Sequence, residues 1–142
     1  MVNQKSIKYI LSLIAMSALT AAPSLACTDF LIKAKDGTSV VGRSMEWGAD
    51  LQSRVCLHPR DESRSSTSPS GSPGVSWKSK YGYLGLDANK MPLTVDGMNE
   101  KGLSLGLLWM PGAVYQDVPS NASAALSVVD IGDWVLGNFT SV

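Results

Sequence analysis

Cys27 follows a leader-like segment and is the residue that the sequence best places to act as a nucleophile. Residues 1–26 begin with a basic stretch, continue through an apolar run from Ile10 to Leu19 and end in Ser24-Leu25-Ala26. This pattern is typical of a secretory signal peptide that is cleaved after Ala26. Cleavage there makes Cys27 the first residue of the mature chain, with its α-amine beside its thiol.

An N-terminal cysteine can carry its own base. An α-amine has a pKa of about 7.7–8.0, so it accepts a proton near neutral pH, and a thiolate is a strong nucleophile. Two other roles stay open for Cys27. Lipidation would make the protein an exported lipoprotein or binding module, although Ser24 stands where lipoprotein signals usually have leucine. A disulfide with Cys56 is the third role, since exported proteins often carry disulfides.

The segment after Cys27 predicts a β-hairpin that brings charged side chains towards it. Asp36-Gly37 is a strong turn signal between two apolar arms. A two-residue loop would place Cys27 opposite Glu46. A three-residue loop would place Asp29 opposite Arg43, with Arg43 on the face of Cys27. The sequence does not choose between these registers. Because both arms are apolar on both faces, we expect a sheet that is covered on both sides.

Three further residues are candidates for the chemistry of Cys27. Arg43 would favour the thiolate, because a nearby guanidinium stabilises the charged form of a thiol. Glu46 would hold or orient the α-amine. Asn99, in a predicted turn, would donate to an oxyanion from its side chain or its backbone.

Other residues with chemical potential are assigned structural roles. Cys56 and His58 lie two residues apart and have no third group to orient them, so we expect both to be structural. The four tryptophans, at positions 47, 77, 109 and 134, are expected in the core or along a pocket.

The rest of the mature chain predicts strands, a loop and a short helix. Residues 61–74 are rich in serine, proline and glycine and predict a surface loop. Residues 75–86 predict one strand, and residues 92–111 predict a hairpin. The apolar pattern from Ala124 predicts an amphipathic helix that ends near Gly137.

Length and composition restrict the class of protein. The 142 residues include 12 basic and 12 acidic side chains, and 44% are hydrophobic, which suits one globular domain. The balanced charge argues against a nucleic-acid binder. Two cysteines and one histidine are too few for a structural zinc site, and we expect no metal or other cofactor. After the leader, the sequence predicts no membrane-spanning segment.

Three motifs together resemble the choloylglycine hydrolase family, which includes bile salt hydrolases and penicillin V acylases. They are Cys27-Thr28 at the processed N-terminus, residues 42–47 (GRSMEW) and residues 96–103 (DGMNEKGL), the last followed closely by LLWMPG. Residues 134–142 (WVLGNFTSV) also resemble a family segment. The resemblance therefore covers nearly all of residues 27–142.

The resemblance implies the α+β fold of an N-terminal nucleophile hydrolase, a four-layer αββα sandwich, and hydrolysis of a non-peptide, linear amide C–N bond. By position it makes Cys27 the nucleophile and the base, and it places Arg43 beside the sulfur. Glu46 stands where the family usually has aspartate, and Asn99 takes the position linked with the oxyanion hole. Family members are longer and carry a further Asn and Arg of the site in the part absent here. We therefore expect residues 27–142 to be the N-terminal portion of the domain, inactive by itself.

Substrate, location and assembly follow from the resemblance and the leader as expectations. A conjugated bile salt, penicillin V and an N-acyl homoserine lactone all suit the implied reaction, and the sequence does not choose among these small-molecule amides. The predicted leader implies export to the periplasm or the extracellular space. The family includes tetramers, so the resemblance allows a homo-oligomer.

Overall fold

The structure of the protein is a computed structural model that describes residues 27–67, 71–88, 90–110, 112–117 and 125–142. The predicted signal peptide, residues 1–26, lies outside the described residues. The described part of the chain is rich in strands and has one helix. In chain order the elements are β1 (Thr28–Lys33), β2 (Ser39–Ser44), β3 (Val55–His58), β4 (Ser63–Thr67), β5 (Pro73–Lys78), β6 (Tyr83–Asp87), β7 (Thr94–Asn99), β8 (Ser104–Gly106) and α1 (Ile131–Asn138).

The first two strands form the hairpin that the sequence predicts. β1 and β2 pair antiparallel with Asp29 opposite Arg43, which is the register of the three-residue loop. The backbone N–H of Ala34 donates to the carbonyl of Thr38 at 2.8 Å and closes the turn. Because side chains alternate along a strand, this register puts Cys27, Asp29 and Arg43 on one face.

The hairpin is not covered on both sides by the described residues, so that expectation was wrong for this part of the chain. Phe30, Leu31 and Ile32 of β1 are 50%, 56% and 57% exposed. Val40 and Val41 of β2 are exposed as well. The two strands form a sheet of their own, and these apolar side chains stay exposed.

The second sheet is antiparallel and has four strands, in the order β3-β6-β7-β8. Helix α1 packs on one face, where Leu136 is fully buried. A side chain at Gly97 of β7 would lie 2.4 Å from the carbonyl oxygen of Leu84 and 2.9 Å from Leu136 Cδ1, so glycine is needed for this close approach. The opposite face exposes an apolar row made of Val55, Leu57, Leu84, Leu86 and Met98.

A buried carboxylate ties α1 to the strands. Asp133 Oδ1 accepts hydrogen bonds from Tyr83 Oη at 2.7 Å and from Thr94 Oγ1 at 2.6 Å, and its Oδ2 lies 2.8 Å from Arg64 Nη1. Burial, and then the hydrogen bond to Asp133, raises the pKa of Tyr83, so the phenol stays protonated and keeps donating. The His58 ring stacks on the Tyr83 ring with centroids 4.5 Å apart. His58 therefore packs against this buried group.

Two predictions for the middle of the chain were wrong. Residues 61–74, predicted as a surface loop, contain β4 and the start of β5, which pair as a separate two-stranded sheet. Their polar side chains suit a hairpin whose strands are largely open to solvent. The single strand predicted at 75–86 is divided into β5 and β6. The division falls where Lys80 N and Tyr81 N donate to the carbonyl of Gly137 at the end of α1, rather than to a strand.

The C-terminal half follows its predictions more closely. The hairpin predicted at 92–111 is formed by β7 and β8, with a second arm of three residues. Helix α1 begins at Ile131, directly after a turn at residues 128–130, whereas the predicted start at Ala124 lies outside the described residues. The helix ends at Asn138, within the predicted stop at Gly137-Asn138.

Candidate active site

Cys27 and Arg43 line the same cavity, which has a volume of about 380 Å³. Its wall is largely apolar and includes Met45, Trp47, Leu93, Leu107 and Trp109. Cys27 is half-buried, and both cysteines are free. The structure therefore does not support the Cys27–Cys56 disulfide, and it leaves the Cys27 thiol at the edge of an apolar space.

Arg43 is fixed by one backbone carbonyl in β7 and one directly after β8. Its Nη1 donates to Val95 O at 2.9 Å, and its Nη2 donates to Leu107 O. These two carbonyl groups belong to adjacent chain segments, since Leu107 N itself donates to Val95 O at 2.8 Å. The Arg43 side chain is 6% exposed. A guanidinium is always charged, so Arg43 brings a fixed positive charge to the cavity that also holds Cys27.

Two acidic side chains lie close to Arg43. Asp96 Oδ2 lies 3.4 Å from Arg43 Nη1, and Asp29 is its cross-strand partner. A side chain at Gly106 would lie 3.1 Å from Arg43 Nη1 and 3.3 Å from Asp29 Oδ2, so β8 passes close to both groups. Among the described residues, Arg43 Nε is buried without a hydrogen-bond partner.

Glu46 is not brought to Cys27. Arg43, Met45 and Trp47 occupy alternate positions and line the cavity, whereas Glu46 is exposed and does not line it. The three-residue turn explains this result, because it puts position 45, not 46, in line with Cys27.

Asn99 is buried away from the cavity and its hydrogen-bonding groups are occupied. Nδ2 donates to Leu136 O at 3.0 Å and to Phe139 O at 2.7 Å. Oδ1 accepts from Lys101 N at 3.0 Å and Leu103 N at 3.1 Å. The backbone N–H of Asn99 donates to Leu103 O. Both donors considered for an oxyanion are therefore bonded within the chain, where Asn99 joins the β7–β8 turn to the end of α1.

An aromatic pair in the cavity was not identified from the sequence. The rings of Trp47 and Trp109 lie 5.5 Å apart in an edge-to-face arrangement, and both line the cavity. The sequence placed tryptophans in the core or along a pocket, without pairing them. The available signal was that the GRSMEW and LLWMPG motifs each contain a tryptophan.

Cys56 is separate from the cavity that Cys27 lines. Its Sγ is 3.7 Å from Asp87 Oδ2, and it does not line the cavity. In the ranges that the structure describes, no three His, Cys, Asp or Glu side chains are grouped so that they could hold a metal ion. In those same ranges, no helix combines the length and the apolar character needed to cross a membrane.

Comparisons with known proteins give a consistent result. Residues 27–142 match the model of the linear amide C–N hydrolases, choloylglycine hydrolase family. The chain is 34% identical to penicillin V acylase of Pectobacterium atrosepticum, over 99% of this chain and 39% of the acylase. It is 30% identical to the bile salt hydrolase/transferase of Clostridium perfringens, over 82% of this chain and 35% of that enzyme.

A solved structure has the same fold. A variant of the conjugated bile acid hydrolase from Clostridium perfringens matches with a TM-score of 0.64 and 26% identity, over 80% of this chain and 34% of that chain. This likeness confirms that the strands and helix described here are part of an N-terminal nucleophile hydrolase fold. The chain spans well under half the length of these relatives. The match over residues 27–142 shows that the chain belongs to the choloylglycine hydrolase family of linear amide C–N hydrolases.

Proposed function

We propose that these residues form the N-terminal portion of an enzyme that hydrolyses a linear amide, with Cys27 as its N-terminal nucleophile. The observation that carries the proposal is the shared cavity of Cys27 and Arg43, which joins a free thiol, a fixed positive charge and an apolar wall. The names of the similar proteins, a penicillin V acylase and a bile salt hydrolase/transferase, support the same reaction type.

The first half of the reaction transfers the acyl group to sulfur. The α-amine of Cys27 accepts the thiol proton, and the thiolate attacks the carbonyl carbon of the amide. The tetrahedral intermediate then collapses, the C–N bond breaks, and the α-ammonium gives its proton to the leaving nitrogen. Arg43 favours the thiolate by its charge. The products of this half are a free amine and a thioester on Cys27.

The second half regenerates the enzyme. Water attacks the thioester carbonyl while the α-amine accepts one of its protons. The C–S bond then breaks, the α-ammonium returns the proton to the sulfur, and the acyl group leaves as a carboxylic acid. The oxyanion of each tetrahedral intermediate needs hydrogen-bond donors. Because the donors of Asn99 are already bonded to Leu103, Leu136 and Phe139, we assign this contact to other groups of the complete protein.

The cavity favours an acyl group with apolar and aromatic surface. Trp47 and Trp109 offer ring surface, and Leu93, Leu107 and Met45 complete an apolar wall. Burial of apolar surface contributes about 25 cal/mol per Å², so such a wall binds a phenoxyacetyl or a sterol acyl group better than a charged one. The choice between a penicillin-type and a bile-salt-type amide is left to the assay.

Exposure of the α-amine requires removal of the leader. We propose that residues 1–26 direct export and are cleaved after Ala26 in the periplasm or outside the cell. An amide nitrogen is not a base, so an uncleaved chain lacks the proton acceptor. A diacylglyceryl group on Cys27, found by mass spectrometry of the mature protein, would instead favour the lipoprotein.

The proposal is tested by assaying the mature, full-length protein on penicillin V, a conjugated bile salt and an N-acyl homoserine lactone. We expect turnover of at least one amide, and a loss of about 100-fold or more in the Cys27→Ser variant, as a hydroxyl is the weaker nucleophile. Cys56→Ser is the matched control and retains activity. Equal turnover in the wild type and in Cys27→Ser would refute the proposal.

A further inference from the structure

We propose that the ion pair between Arg54 and Asp87 sets the width of the apolar cavity beside Cys27 and thereby the acyl groups that fit it. The inference rests on the proposed function, since it assigns a positioning role in substrate selection. Neither residue lines the cavity, so the pair acts through the two chain segments that it joins.

The pair is held by several contacts at once. Arg54 Nε donates to Asp87 Oδ2 at 2.7 Å, and Arg54 Nη2 donates to the same oxygen. The backbone N–H of Arg54 donates to Asp87 Oδ1 at 2.7 Å, and Asp87 N donates back to Arg54 O at 3.0 Å. Side-chain and backbone groups of both residues therefore bond to each other, which fixes their separation and orientation.

The two residues differ in exposure, and the difference makes Arg54 the better residue to substitute. The Asp87 side chain is 4% exposed, whereas that of Arg54 is 54% exposed. The guanidinium beside it, acting mainly through its hydrogen bonds, lowers the pKa of Asp87, so the carboxylate stays ionised at neutral pH. Substitution of Arg54 disturbs the protein less than substitution of the buried Asp87. Loss of the Asp87 carboxylate would also remove the hydrogen-bond partner of the Cys56 thiol.

Each residue lies at one end of a chain segment that forms part of the cavity wall. Arg54 directly precedes β3 and ends the segment that carries Trp47 and Leu51. Asp87 ends β6 and precedes the segment that carries Ala88, Met91 and Leu93. The wall residues of these two segments are Trp47, Leu51, Ala88, Met91 and Leu93. The pair therefore joins two walls of one cavity.

Both segments contain a residue in an unfavourable backbone conformation. Gln52 has φ 48° and Lys90 has φ 56°, in the left-handed region that costs free energy for residues other than glycine. Such conformations persist where surrounding contacts hold them. Arg54 Nη2 also lies 3.3 Å from Lys90 O, so the same guanidinium contacts both segments.

The reactive groups are held independently of the pair. Cys27 precedes β1, and Arg43 is fixed by carbonyl groups of Val95 and Leu107. Loss of the Arg54–Asp87 pair should therefore move the wall while the thiol and its guanidinium keep their places. The relative kcat/KM values for different acyl groups should therefore change more than kcat on an amide with a small acyl group.

The first test measures kcat and KM of the mature, full-length protein on two amides with the same leaving amine, one phenoxyacetyl and one naphthyloxyacetyl. In Arg54→Met we expect the ratio of kcat/KM for the two amides to change about fivefold or more, mainly through KM, because one methylene in an apolar pocket already changes selection about tenfold. We expect kcat on the smaller amide to stay within about twofold, and Arg54→Lys to restore part of the wild-type ratio.

The matched control is Arg60→Met. Arg60 also forms a bidentate ion pair, in which its Nε donates to Glu100 Oε1 at 2.7 Å and its Nη2 donates to Glu100 Oε2. The Arg60 side chain is 60% exposed. Neither Arg60 nor Glu100 lines the cavity. The control should leave the ratio unchanged. The inference would be overturned if the ratio of kcat/KM changed as much in Arg60→Met as in Arg54→Met, or if it stayed unchanged in Arg54→Met. It would also be overturned if Arg54→Met lowered kcat equally on both amides.

A second measurement separates failure of this inference from failure of the proposed function. The alkylation rate of Cys27 is measured with iodoacetamide and with the wider N-naphthyl iodoacetamide, neither of which requires turnover. We expect the ratio of the two rates to change at least about threefold in Arg54→Met and to stay constant in Arg60→Met. Absence of turnover in the wild type would refute the proposed amide hydrolysis. An unchanged alkylation ratio in Arg54→Met would refute the proposed role of the Arg54–Asp87 pair.

Discussion

Arg43 of β2 donates a hydrogen bond of 2.9 Å to the carbonyl oxygen of Val95 in β7, 52 residues later in the sequence. This contact joins the leading hairpin to the four-stranded sheet, although the two sheets share no strand pairing. It also fixes a positive charge on the wall of the cavity that Cys27 lines. One side chain thus links the fold to the proposed chemistry.

Removal of the Arg43 charge should slow alkylation of Cys27. In Arg43→Met we expect the rate with iodoacetamide at pH 7 to fall about tenfold, because the variant removes a positive charge from the cavity in which the thiol is attacked. Mass spectrometry of the modified peptides gives the rate, with Cys56 as the internal reference. Arg60→Met is the matched control. A rate unchanged in Arg43→Met would show that the guanidinium does not act on the thiol.

Removal of the charge of Asp96 should have the opposite effect. Asp96 Oδ2 lies 3.4 Å from Arg43 Nη1 and offsets part of its charge. In Asp96→Asn we expect alkylation of Cys27 at pH 7 to become about two- to threefold faster, since a partly exposed pair is screened by solvent. The effect should weaken in high salt. Glu100→Gln, which removes a carboxylate from the pair with Arg60, serves as the control, and slower alkylation in Asp96→Asn would contradict the assignment.

Asn99 should prove to be a structural residue. In Asn99→Ala the carbonyl groups of Leu136 and Phe139 lose their donor, so we expect the free energy of unfolding in urea to fall by about 3 kcal/mol. Asn138→Ala loses one bond to Trp134 O and should cost about 1 kcal/mol. Activity should follow the folded fraction. A stable Asn99→Ala protein with kcat reduced about 100-fold would instead place Asn99 in the oxyanion hole.

Tyr83 should make stability fall at alkaline pH. Burial, then the hydrogen bond to Asp133, raises its pKa in the folded state above its ordinary value of 10.0. The stabilising contribution is therefore complete below about pH 10 and is lost as the pH rises above that value. Tyr83→Phe should be about 1 kcal/mol less stable at pH 7, and its unfolding free energy should fall less steeply between pH 9.5 and 11 on a urea-denaturation series. Parallel curves for the two proteins would contradict this account.

The sequence predicted the parts of the site that depend on one local turn. Asp36-Gly37 indicated the hairpin, and the three-residue alternative gave the Asp29–Arg43 pairing that the structure has. The choice between the two registers needed the structure, because one residue in the loop reverses the face of every later side chain. That reversal removed Glu46 from the cavity and placed Arg43 in it.

Contacts between distant segments were beyond prediction from one sequence. Asn99 was interpreted as a turn residue with free donors, and the turn is present, but α1 supplies the carbonyl groups that bond its amide. The pairing of Trp47 with Trp109, and of Arg54 with Asp87, likewise depends on how separate strands are arranged. The polar composition of residues 61–74 predicted a loop, but serine-rich segments there pair as strands.

In the proposed mechanism, a free α-amine on Cys27 serves as the base for its own thiol. The most direct measurement compares kcat of the full-length protein that begins at Cys27 with that of the same protein bearing Ala26 in front of it. We expect a loss of about 100-fold or more with the added residue, the usual contribution of a general base, while circular dichroism shows that the fold is retained. Equal kcat in the two proteins would contradict it.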